Sequence, residues 1–69
     1  MMKIQVTATP LLNSGLPLPQ YVAAFTANDW QAHDIQRCAG NAVVNAMYKA
    51  RANGFTVQRF TVAVQVQHD

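Results

Sequence analysis

The sequence predicts a small α+β domain in the order β-β-α-β, with one long helix packed on a three-stranded, mostly antiparallel sheet. Three observations predict it. Apolar and polar residues alternate from Lys3 to Thr9. The apolar spacing then lengthens to steps of three, four and seven between Ala32 and Ala50, and alternation returns from Phe60 to Val66. A period of two sends successive side chains to opposite faces of a strand, whereas a period near 3.6 gathers them on one stripe of a helix. The 69 residues suffice for one domain, 1–69, with no repeat or linker. A domain this small buries only about 60% of its unfolded surface, so a partner subunit is an expected source of further stability.

Ile4, Val6 and Ala8 against Lys3, Gln5, Thr7 and Thr9 read as a half-buried strand that ends at Pro10. Pro10, Pro17 and Pro19 exclude a helix or a central strand over 10–19. That loop still carries Leu11, Leu12, Leu16 and Leu18. A second strand follows at Gln20 to Thr26. Asn28 or Asp29 is the expected N-cap of the helix, whose stripe is Ala32, Ile35, Ala39, Val43, Ala46, Met47 and Ala50. Gly54 suits the position just past its end, with Lys49 and Arg51 beside the negative pole of the dipole. Gly40 interrupts the stripe, which leaves an alternative: a short strand from Trp30 to Arg37 and a helix from near Ala39. The unbroken helix is preferred. In the last strand Phe60, Val62, Val64 and Val66 share one face, and Thr61, Ala63 and Gln65 the other. Phe55 and Val57 are out of phase with that set, which predicts a bulge or bend near Gln58-Arg59.

Composition bears on function chiefly by what is scarce. The chain has no glutamate, and its only acidic side chains are Asp29, Asp34 and Asp69. Carboxylates supply much of general acid–base catalysis, hard-metal ligation and the orientation of catalytic histidines. The reading is therefore of a protein that is not an enzyme and carries no cofactor or metal. Ser14 with His33 or His68 is the only hydroxyl–imidazole set, and Ser14 sits in an Asn-Ser-Gly turn. His33, Asp34 and Cys38 fall short of a four-ligand zinc site. The single cysteine cannot form an internal disulfide and suggests a reducing compartment. The chain opens on Met1-Met2-Lys3 and a strand pattern rather than an apolar leader, and its longest apolar run, Tyr21 to Phe25, is too short for a membrane span. The expected location is the cytoplasm, without membrane contact.

Two surface features point to binding. The helix face opposite the core stripe carries His33, Arg37, Asn41, Val44, Tyr48 and Arg51 at spacings of four and three, one outward row. Tyrosine and arginine are the residue types enriched at interface hot spots. The second feature is the leucine loop, because apolar residues displayed on a surface mark contact sites. A protein partner is thus expected to engage Arg37, Val44, Tyr48 and Arg51, or Leu11, Leu12, Leu16 and Leu18. Each feature has a plainer reading, as a solvated helix back and as a lid that folds over the open end of the core. A lone helix covers one face of the sheet only, so the other face must be polar, lie under the leucine loop, or meet a second copy in a homo-oligomer. The net charge of +2 and pI near 9.1 raise nucleic acid as the alternative partner. Arg37, Lys49, Arg51 and Arg59 would then meet phosphates while Tyr48 stacks on an unpaired base.

Val6-Thr7-Ala8-Thr9-Pro10 together with Asn41-Ala42-Val43-Val44-Asn45-Ala46-Met47-Tyr48-Lys49-Ala50 resemble small phage-encoded inhibitors of the anti-CRISPR kind. Some of those also place an alanine- and methionine-bearing helix after a strand hairpin and before a last strand. Many of them, unlike this chain, are strongly acidic. The resemblance implies a non-enzymatic inhibitor that occludes a surface of a host nucleoprotein complex, and it carries no functional residue with it.

Overall fold

A computed structural model of the chain describes residues 2–27 and 31–68. Strand β1 (Met2–Leu11) and strand β2 (Tyr21–Ala27) precede helix α1 (Ala32–Ala52), and strand β3 (Arg59–His68) follows it. The sheet order is β2-β1-β3, with both neighbours antiparallel to the central β1. Strands β2 and β3 therefore run parallel to each other on either side of β1, and α1 is the crossover between them. This is the expected α+β arrangement.

The alternation along β1 decides which face is core. Ile4, Val6, Ala8 and Pro10 are fully buried, while Lys3, Gln5, Thr7 and Thr9 lie on the opposite face. Register carries that division across the sheet. Phe25, Ala23 and Tyr21 of β2 stand opposite Ile4, Val6 and Ala8. Val66, Val64, Val62 and Phe60 of β3 stand opposite Ile4, Val6, Ala8 and Pro10. Cys38, Ala42, Ala46 and Ala50, one i, i+4 row of α1, are buried against this face. The open face carries Lys3, Gln5, Thr7, Thr9, Thr26, Thr61, Gln65 and Gln67, with Leu11, Val22, Ala24 and Ala63 among them, so it is polar for the most part.

Strand β2 lies one residue later than the expected 20–26, and three further features differ from expectation, each for a local reason. Strand β1 runs through Pro10 to Leu11. The Pro10 carbonyl accepts a hydrogen bond from Leu18 N–H at 2.9 Å, on the side where β2 has already ended. The missing Pro10 N–H would point the same way, so the ladder to β3 loses nothing. At the helix start the cap is Gln31, and the expected caps Asn28 and Asp29, like Trp30, lie outside the described residues. Asp34 Oδ2 accepts from the Gln31 backbone N–H at 3.0 Å and closes a capping box. Because 32–37 is helical, the alternative strand over 30–37 is excluded for those residues. Third, no bulge forms near Gln58-Arg59: the register of β1 with β3 is continuous, and 55–58 is a connector outside the strand.

Gly54 ends the helix as expected, at φ +88°. Its N–H donates to the Arg51 carbonyl at 3.0 Å and Phe55 N–H to that of Ala50 at 3.0 Å, satisfying carbonyls the helix leaves free. Gly40 is different. It lies on the exposed side of α1, and a Cβ built there would meet nothing within 4 Å. Gly40→Ala is therefore expected to stabilise the protein by about 1 kcal/mol. A urea titration followed by circular dichroism checks this, and an unchanged or lowered midpoint would contradict it.

Candidate functional site

Helix α1 is the element that organises a displayed surface. Its buried row fixes its rotation on the sheet, and that rotation turns His33, Arg37, Asn41, Val44, Tyr48 and Arg51 outward together, all exposed. Val44 keeps 43% of its surface in water and Tyr48 58%. Arg37 and Arg51 flank them, about 21 Å apart along the axis at 1.5 Å per residue. The row is held rigid from both ends by the Gln31–Asp34 box and the Gly54 stop. Asn45 Nδ2 donates to the Asn41 carbonyl at 2.8 Å and Asn53 Nδ2 to that of Lys49 at 3.0 Å, adding side-chain ties along the axis.

The leucine loop does not present its four leucines together. Gly15 N–H donates to the Leu12 carbonyl at 2.8 Å and Leu12 N–H to that of Leu16 at 2.9 Å, so 12–16 is a tight turn extending the β1–β2 hairpin. Leu11 belongs to β1, half-buried on the open face opposite Arg59. Leu12 is half-buried. Leu18, with Pro19, lines a cleft of about 410 Å³ whose other wall is Lys49, Ala50, Asn53 and Phe55 at the end of α1. Only Leu16 stands clear, at 63% exposed.

The remaining chemistry-bearing residues are dispersed. Ser14 lies in the turn beyond Leu11, whereas α1 begins at the other end of the sheet, near Met2 and Ala27. His33 and Ser14 are thus separated by the length of β1, roughly 30 Å at 3.3 Å per residue. His33 Nε2 sits 3.3 Å from Asp34 Oδ1, an exposed pairing at the helix start. Burial pushes the Cys38 thiol up, which keeps it protonated and unreactive at neutral pH. Among the described residues no three histidine, cysteine or acidic side chains gather to hold a metal. Among the same residues no helix is long and apolar enough to cross a membrane.

The cations also part company. Arg37 and Arg51 lie on the outward row and Lys49 beside the cleft under Leu18, while Lys3 is on the open face of the sheet. Arg59 Nη2 is committed to the carbonyls of Leu12 and Asn13, both at 3.3 Å, tying the start of β3 to the hairpin turn.

One surface escaped the reading of the sequence. Helix α1 lies over β1 and β2 and scarcely reaches β3. Val62 and Val64, on the helix side of β3, are each left 46% exposed. Alternation marks these valines as one face, but which two strands the helix covers is not written in any local pattern. Comparison with protein-family models, curated proteins and solved structures found no match to the chain.

Proposed function

We propose that this chain is a non-catalytic binding protein whose outward row on α1, Arg37, Val44, Tyr48 and Arg51, covers a surface of a partner protein. The observation that carries the reading is the exposure of Val44 and Tyr48 between two arginines on a helix fixed at both ends. A tyrosine ring offers a large contact area with few rotors to freeze, and an arginine offers five donors in a planar fork. A rigid scaffold loses little entropy when such a row docks, so its area converts efficiently into affinity. Leu16 at the hairpin tip is a minor contributor, its three companions being half-buried and facing different ways. The resemblance of 6–10 and 41–50 to phage inhibitors supports a host nucleoprotein complex as the partner, met through its protein component. The lone cysteine supports a reducing compartment, the cytoplasm.

Nucleic acid is the less favoured partner, because two arginines on one row neutralise too few phosphates for tight binding. Tagged wild type and the double variant Tyr48→Ala/Arg51→Ala, both checked by circular dichroism, are compared for capture of proteins from the source organism's lysate. The expected result is one protein enriched by the wild type and lost with the double variant. Equal recovery of every protein by both would remove the α1 row from consideration. A shift of an oligonucleotide that weakens steeply between low and physiological salt would instead favour nucleic acid.

A further inference from the structure

We propose that two copies of this chain join edge to edge through β3, forming a six-stranded antiparallel sheet of order β2-β1-β3-β3-β1-β2 with both helices on one face. The inference is independent of the partner assigned to the α1 row.

Strand β3 spans ten residues and, among the described residues, pairs on one side only. Which of its backbone groups are free follows from Pro10. The Pro10 carbonyl turns toward Leu18, away from β3, so Pro10 and its partner Phe60 point their backbones away from each other. Antiparallel ladders alternate between such pairs and mutually bonded ones. With a continuous register, Phe60, Val62, Val64 and Val66 all turn N–H and C=O to the free edge. These are also the residues whose side chains line the helix side, where α1 leaves Val62 and Val64 half in water.

Edge strands are ordinarily protected by proline, a bulge, inward-pointing charge or shortness. From Phe60 to Gln67 this strand has none of these. Strand β2, the opposite edge, has seven residues and its apolar face lies under α1.

A second copy fits this edge because β3 is complementary to itself. With the two-fold axis at Ala63, Val62 faces Val64 of the second copy and Phe60 faces its Val66, so every free backbone group meets a free one. Apolar pairs then meet on the helix side and Thr61 meets Gln65 on the open face. The one cation of the strand, Arg59, lies at its start, and antiparallel pairing sends the two copies of it to opposite ends. Shifting the register by one residue would place valines against the polar face and bonded groups against free ones. The two-fold axis is normal to the sheet, so both α1 rows face the same way and the dimer is bivalent for a repeating partner.

The test measures mass in solution for the full chain, by sedimentation across the micromolar range. Wild type is expected at twice 7.6 kDa, falling toward that mass on dilution. The double variant Val62→Lys/Val64→Lys, with a wild-type circular dichroism spectrum, is expected to be monomeric at concentrations where wild type is fully dimeric. Should it not fold, Ala63→Cys in a Cys38→Ala background decides the matter. Ala63 meets its own copy in a non-hydrogen-bonded pair, so mild oxidation is expected to give a disulfide-linked dimer, whereas Gln5→Cys in that background stays unlinked. A wild type that is monomeric throughout would overturn the proposal and leave the edge for a strand of another protein. So would a dimer that survives both lysines, or open-ended higher species.

Discussion

Replacing Ile4 by alanine is expected to bring this protein to the brink of unfolding at ordinary temperatures. Ile4 is among the largest side chains shielded completely from water, on the central strand, between Phe25 of β2 and Val66 of β3 in register. Truncating such a residue loses the transfer free energy of the removed carbons and leaves a cavity, together costing about 2–5 kcal/mol. A domain of this length has a total stability of only about 3–10 kcal/mol. The neighbours have little means of collapsing into the gap, since the sheet backbone is fixed by pairing on both sides of β1. The measurement is a urea midpoint by circular dichroism at one fixed protein concentration, because any self-association adds to apparent stability. Lys3→Ala, one residue away on the open face, is the control and is expected to change stability by less than about 0.5 kcal/mol. If the two variants unfolded at the same urea concentration, the assignment of the core face would be wrong, because a one-residue slip exchanges the two faces of a strand.

That contrast also shows what was legible in the sequence. The alternation of Ile4, Val6 and Ala8 and of Phe60, Val62, Val64 and Val66 is a local property, and it survives into the structure as one face of the sheet. The stripe of α1 was legible only in part: Ala46 and Ala50 are buried as expected and Ile35, Ala39, Val43 and Met47 half-buried, but Ala32 is exposed, and Cys38 and Ala42, outside the expected stripe, complete the buried row. The glycine that ends the helix was legible because its place past the last turn is a local signal. Pro10 was misread because the rule against proline in central strands concerns only the side on which an N–H is required. Here β2 has ended on that side, and the loop that replaces it asks Pro10 only for its carbonyl, which accepts from Leu18 N–H; no local pattern records where a neighbouring strand stops. Gln31 was missed as the helix cap because glutamine seldom plays that part; the signal was Asp34 three residues on, half of a capping box. Phe55 and Val57 suggested a strand through their apolar character alone. Phe55 is instead bound to the end of α1 through its N–H to Ala50. The outward row on α1 needed only helical spacing to find. The exposed flank of β3 needed the position of the helix over the sheet, which depends on packing between elements.

The way α1 packs sets the second large effect. Every residue of its buried row is small: Cys38, Ala42, Ala46 and Ala50. Ala42 and Ala46 have no exposed surface, and both belong to the cluster with Val6 and Ala8 of β1. Small residues let a helix backbone approach a sheet closely, and close approach is what allows so short a chain to enclose a dry core. Ala46→Leu adds three heavy atoms where the helix is fully buried against β1. Overpacking of this kind typically costs about 1–3 kcal/mol, through side chains forced off their rotamers and shifts of the backbone. The upper part of that range is expected here. Strand β1 cannot retreat while it is paired with both β2 and β3, so the helix must move, and a shift at Ala46 disturbs Ala42 as well. A loss of that size lowers the melting temperature by roughly 4–8 °C for each kcal/mol in a domain this small. Val44→Leu, two residues earlier but on the outward row, places the same leucine facing water and is expected to melt with or slightly above the wild type. Helix propensity changes by only about a few tenths of a kcal/mol in either variant, slightly down from alanine and slightly up from valine, so a loss of more than about 1 kcal/mol at Ala46 reports packing. Were Ala46→Leu to melt with or above the wild type, α1 would be standing off the sheet with room to spare. The small-residue row would then have no packing role, and the orientation it gives to Arg37, Val44, Tyr48 and Arg51 would lose its physical basis.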